Sequence, residues 1–282
     1  MSESVLPSTS NTISLEALKL PTVSKQGMKA LDLLNSDDLD INKLNTVISA
    51  DPMLVGILLK YANSPIYGLH FEIKNTLNAI NLLGVEIVKS AILICTMRSV
   101  CKSENHASEM LWEKSINLSI MTRIIARKPF RKMANEIEVS AMMSQIGGLI
   151  ISSNFPDEYA SVVDSANEKL ISVEEEENNF FGLHRSEVTA YALEKLRLPS
   201  IVINSLSAFF NGEQPTGIHS DTDKHVLTLF LATLLIDYNE EDNGVEKNES
   251  IIEIMEILEL SDSDVDGFLE VYNEKLTEGF VF

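Results

Sequence analysis

From Asn105 to Lys128 the chain sets Leu111, Ser115, Leu118, Thr122 and Ile125 at alternating four- and three-residue spacing, and no Gly or Pro intervenes before Pro129. That is the period of an amphipathic helix, closed by a residue that cannot continue one. The pattern recurs through the chain. With 12 Gly and 8 Pro in 282 residues and 45% apolar side chains, the sequence has the makings of an all-α protein with one large or two small domains. No repeat at a fixed period points to a solenoid.

Punctuation places the helices. Residues 1–12 are Ser-, Thr- and Asn-rich and are expected to be a disordered tail. Helical spacing runs from Ser24 to Leu34, and Asp40 is placed to cap a helix carrying Leu44, Val47 and Ile48. Asp51-Pro52 pairs an N-cap acceptor with a proline at the first helical position, ahead of the apolar run Met53 to Ala62. Thr76 to Val100 reads as two helical runs hinged at Leu83-Gly84. Further helices fit Ala134 to Ser153, Pro156 to Lys169, Val173 to Phe180, His184 to Leu196 and Pro199 to Phe209. After the break at Asn211 to Pro215, Ser220 and Asp223 form a capping box for a helix through Tyr238. From Glu240 to Phe282, 14 Asp or Glu face two Lys in two helices, Ile251 to Leu258 and Val265 to Leu276.

Charge narrows the partners. Forty-two acids against 22 Lys and Arg leave a net charge of −20, which repels a phosphate backbone, so nucleic acid and anionic membrane are not expected partners. Cys95 and Cys101 lack metal or redox spacing and read as reduced thiols. The N-terminus has no basic or apolar leader, and the apolar stretch Val226 to Ile236 falls short of the roughly 20 residues a spanning helix needs. A cytoplasmic protein with a buried helix there is the expectation.

The run Asp51-Pro52-Met53-Leu54 through Leu58-Leu59-Lys60-Tyr61-Ala62-Asn63-Ser64-Pro65-Ile66-Tyr67-Gly68 resembles the hallmark of the HDOD family, the HD-related output domain. Leu20-Pro21, Ala79-Ile80-Asn81-Leu82-Leu83-Gly84, Trp112 and Ile146-Gly147-Gly148-Leu149 follow the family order. The resemblance implies an all-α bundle over residues 13–214 of two packed subdomains, about 13–103 and 104–214. The second is a degenerate HD phosphohydrolase core, and 215–282 is a C-terminal acidic extension outside the recognisable part. Working HD enzymes hold divalent metals that activate water. At the positions the family would use, this chain has Trp112-Glu113-Lys114-Ser115, then Ser144-Gln145-Ile146-Gly147 in place of His-Asp, then Phe209-Phe210-Asn211 in place of paired His. His184 and Asp237 alone match surviving ligands.

Several clusters carry two readings. His184 and Glu187 lie three apart on one helical face, a spacing for a metal or general-base pair or for simple packing; with Asp237 they form a remnant-site candidate. His70, His106, His219 and His225 read as surface residues. Asp262 to Gly267 matches the first half of a calcium loop, yet position 12 is Asn273 and the apolar spacing runs straight through, which favours Ser261 as an N-cap. Lys114, Arg123, Arg127, Lys128, Arg131 and Lys132 are the one basic concentration, able to meet an acidic partner or a nucleotide phosphate, or to be a solvated helix end. Glu174 to Glu177 reads as a solvated face, and Trp112 as core.

The resemblance therefore implies a non-catalytic module that transmits a signal by contact with other signalling proteins acting in trans. No cofactor or metal is expected, and self-association stays open. A divergent metal-dependent phosphohydrolase acting on a nucleotide or cyclic dinucleotide is the alternative, and a nucleotide-binding sensor without turnover is a third possibility.

Overall fold

The computed structural model describes residues 13–277 apart from 21–22, 35, 37, 64–70, 101–105, 197 and 241–248. The tail 1–12, the Ser64 to Gly68 part of the hallmark, His70 and Cys101 therefore lie outside the described residues. Those described are helical or connecting, with no strand among them.

A first group comprises α1 (Lys25–Leu34), α2 (Ile41–Ser49), α3 (Pro52–Ala62) and α4 (Thr76–Val100). The expected caps form. Asp40 accepts from the backbone N–H groups of Asn42 and Lys43, and Asp51 from those of Met53 and Leu54. Ser24 also donates to Asp51, at 2.6 Å, tying the start of α1 to that of α3. Within α4, Gly84 adopts φ 77° and ψ 170°, a conformation essentially reserved for glycine, and bends the helix where the hinge was expected.

The second group begins with α5 (His106–Ala126), whose two sides are both covered, and continues with α6 (Ala134–Met143), α7 (Ile146–Asn154), α8 (Pro156–Lys169), α9 (Val173–Phe181), α10 (Arg185–Lys195) and α11 (Ser200–Phe210). The stretch expected as one helix from Ala134 to Ser153 is two. Ser144 N–H bonds back to Ala141, tightening the last turn, and Gln145 leaves helical geometry at φ −95°, ψ 4°. Apolar residues continue across the break, so periodicity does not mark it.

Beyond these lie α12 (Asp221–Glu240), α13 (Glu249–Ile257) and α14 (Asp262–Thr277). Within 215–282, the stretch outside the recognisable part of the resemblance, α12 packs against α5, α6 and α11 and buries Val226, Leu227, Leu229, Leu231 and Leu235. Capping boxes open α12 and α14: Ser220 and Asp223 exchange bonds of 2.7 and 3.1 Å, and Ser261 and Asp264 bonds of 2.9 and 3.3 Å. The calcium-loop letters are thus the opening turns of an unbroken helix.

A continuous apolar core reaches from Leu18 to Tyr272 through both groups, with Trp112 inside it. The segment before α1 is strapped to the second group: Ile13 N–H donates to the Phe181 carbonyl, and Asn154 bonds both the N–H and the carbonyl of Lys19. Among the described residues no single helix is long and apolar enough to cross a membrane.

Candidate functional site

Ser144 and Gln145, which stand where the resemblance would place the His-Asp pair, lie between α6 and α7, and a buried arginine reaches Gln145 there. Arg185, the first residue of α10, is directed inward because Val188, Thr189, Ala192 and Leu193 share its buried stripe at helical spacing. It can lie close to α7 because Gly147 and Gly148 present no side chain. A methyl group on Gly147 would stand 2.3 Å from the Arg185 carbonyl oxygen, and one on Gly148 2.8 Å from Arg185 Nε. The Gly-Gly pair is therefore a seat for this side chain.

The guanidinium is fully engaged. Nε donates to Glu177 Oε2 at 3.0 Å and Nη2 to Glu177 Oε1 at 2.5 Å, a bidentate pair with both side chains buried. Nη2 also reaches the Tyr159 hydroxyl at 3.0 Å, and that hydroxyl donates to Glu177. Nη1 donates to Gln145 Oε1 at 2.9 Å and to the half-exposed Glu174. Burial works against the charge on Arg185, but Glu177, Tyr159 and Glu174 outweigh it and raise its pKa. Burial likewise raises the Tyr159 phenol. At Glu174 burial opposes ionisation, while Arg185 and, more weakly, Lys114 bring its carboxyl below the usual range.

Ser144 is fully buried, and Gln145 turns its amide oxygen to a cation. Lys114 is exposed on α5. Phe209 and Phe210, where the resemblance would place paired His, pack against each other with tilted rings, and Phe209 packs in the same tilted way on Phe230 at 4.9 Å between ring centres. His184 is an exposed N-cap residue of α10 whose carbonyl accepts from Glu187 N–H; Glu187 and Asp237 are exposed. These three side chains do not form a coordination group: among the described residues, no three His, Cys, Asp or Glu come together to hold a metal ion. A hydroxyl, an amide already accepting from a guanidinium, and an ammonium do not fit a divalent-metal centre.

Three sequence expectations need correction here. The Glu174 to Glu177 run is a solvated face only in its first half, since Glu174 and Glu175 are exposed but Glu176 and Glu177 are buried. Glu176 accepts from Lys169 and Ser165, both at 2.7 Å. Arg123 cannot meet an anionic partner, because it is buried and paired with Glu138 at 3.3 Å. Burial still raises the Glu138 carboxyl, with Arg123 pulling the other way. His225 is not on the surface but fully buried in α12, its Nδ1 2.9 Å from Ser140 Oγ. Of the remaining basic residues, Arg127, Arg131 and Lys132 are exposed, and Lys128 is ion-paired with Asp264.

The described residues define an all-helical bundle with an arginine-centred buried polar locus. The chain belongs to the HDOD family, whose domain model matches residues 20–209. It is similar in fold to an HDOD domain protein of unknown function from Geobacter sulfurreducens, with TM-score 0.71, 20% identity, and 94% of this chain and 92% of that chain covered. A protein from Shewanella amazonensis provisionally named a phosphohydrolase gives TM-score 0.69 at 17% identity, covering 91% of each chain. One from Marinobacter aquaeolei, provisionally named a signal transduction protein, gives 0.70 at 18%, with 93% of this chain and 58% of that chain covered. Among curated proteins none matches in sequence.

Proposed function

We propose that the protein is a non-catalytic signal-transduction module, acting in the cytoplasm through protein–protein contacts. The observation that carries this reading is the bond from Arg185 to Gln145, where an HD enzyme would place a metal-binding carboxylate. Metal-assisted hydrolysis needs a cation to activate water. Here a guanidinium held by Glu177, Glu174 and Tyr159 supplies the positive charge and has no position left for a nucleophile. What remains of such a core is a rigid helical surface, suited to contact with other signalling proteins.

The test is metal content together with turnover. Protein purified without chelator or His tag is analysed for Mn, Fe, Ni, Zn and Mg, then assayed with bis(p-nitrophenyl) phosphate in the presence of each. The reading expects sub-stoichiometric transition metal and no turnover. Near-stoichiometric metal with hydrolysis that is lost in His184→Ala would overturn it.

A further inference from the structure

The turn joining α5 to α6, residues 127–133, carries Arg127, Lys128, Arg131 and Lys132 in a protein of net charge −20. These side chains have different fates. Lys128 is held by Asp264, from the first turn of α14, and α14 packs along α5. The Lys128 ammonium, followed by the Ser261 cap, draws the Asp264 carboxyl down to about 2. Close by, Lys224 lies 5.9 Å above the Phe130 ring and pairs with Asp221 at 2.6 Å. Arg131 and Lys132 are exposed and have no carboxylate within ion-pair reach among the described residues. The patch thus already binds one carboxylate of this chain while two adjacent cations stay open to solvent.

We propose that this turn is a docking surface for an acidic segment of a partner protein, and that Asp264 is an intramolecular competitor that holds Lys128 until such a segment arrives. The inference deepens the output-module reading and rests on it. Charge complementarity selects the occupant. A few carboxylates on a flexible segment can meet Arg131, Lys132 and Lys128 within a Debye length of about 8 Å at physiological salt, while the remote negative charge of the protein is screened. An extended polyanion would meet the acidic remainder of the surface. Arg131 offers a planar fork for bidentate carboxylate recognition and Lys132 a point charge.

Fluorescence anisotropy with a short fluorescein-labelled polyglutamate peptide tests this on the full chain at low salt. Wild type binds, and binding weakens as salt is added. The double variant Arg131→Glu, Lys132→Glu loses about tenfold or more in affinity, since rim charges act on encounter and salt dependence. Asp264→Ala binds several-fold tighter. Because Asp264 also caps α14, Ser261→Ala serves as the control: it weakens the cap, keeps the carboxylate on Lys128, and leaves affinity near wild type. The proposal fails if the peptide does not bind, if the charge reversal leaves binding unchanged, or if Ser261→Ala matches Asp264→Ala. Anionic phospholipid vesicles or single-stranded DNA binding in place of the peptide would also overturn it. Such failures leave the metal and hydrolysis assays unaffected, because those interrogate the Arg185 locus.

Discussion

Arg185 and Glu177 meet side-on, Nε to Oε2 at 3.0 Å and Nη2 to Oε1 at 2.5 Å, with both side chains out of contact with solvent. A pair of this kind is strongly asymmetric toward mutation. Removing one partner strands a buried charge, whereas replacing both with apolar groups of similar volume need not destabilise. Glu177→Ala is expected to cost about 3–5 kcal/mol in urea unfolding. The double replacement Glu177→Leu, Arg185→Met should recover most of that loss. Equal instability of single and double variants would show that the pair is more than a matched burial of charge.

The Gly147 and Gly148 seat predicts overpacking. Gly148→Ala meets a side chain that can shift and is expected to cost about 1–3 kcal/mol, the range for core overpacking. Gly147→Ala meets backbone oxygen and should cost more. Gly56, in α3, has nothing within 4 Å of the place a methyl group would take, so Gly56→Ala should stabilise by roughly 0.5–1 kcal/mol. Thermal melts of the three variants check the order.

Gly84 makes a separate prediction because its restriction is purely conformational. Nothing would touch a methyl group there, yet φ 77° with ψ 170° lies where side chains are disfavoured. Gly84→Ala should cost about 1–3 kcal/mol. Gly84→Asn should fare no better, since asparagine eases only the left-handed helical region. A cost for Asn well below that for Ala, by urea denaturation, would contradict the assigned backbone.

His225 predicts a pH window. Burial lowers its pKa from 6.5 to about 4, so the folded protein keeps it neutral where the unfolded chain takes up a proton. Between those values the unfolded state binds more protons, and stability falls as pH drops from about 6.5 to 4. The contribution is on the order of 3 kcal/mol at one pKa unit per ~1.4 kcal/mol. Below about 4 both states are protonated and this loss levels off. His225→Leu should flatten the stability–pH curve in that window, measured by denaturant midpoints at fixed temperature.

Helix positions were legible in this sequence because their signals are local: Asp40, Asp51-Pro52, the Ser220 and Ser261 boxes and Gly84 each act on a neighbouring turn. The arginine-centred locus was not, because Arg185 draws partners from 8, 11, 26 and 40 residues away. A weaker signal was present. Glu177 sits four residues after Val173 and four before Phe181, on an apolar stripe, and Arg185 heads the stripe of Val188, Ala192 and Leu193. His225 falls likewise on the face of Leu229 and Ala232. A polar residue in register with a buried face demands a partner, but sequence spacing does not say which. The split at Ser144 left no signal, because neither Gly nor Pro marks it.

The bonds of Lys19 to Asn154 and of Ile13 to Phe181 have a consequence for the order of synthesis. Lys19 can meet Asn154 only once α7 has been made, and Ile13 can meet Phe181 only once α9 has. Neither bond can therefore form while the first group of helices is being made, and the strap ties that group to residues added 135 or more positions later.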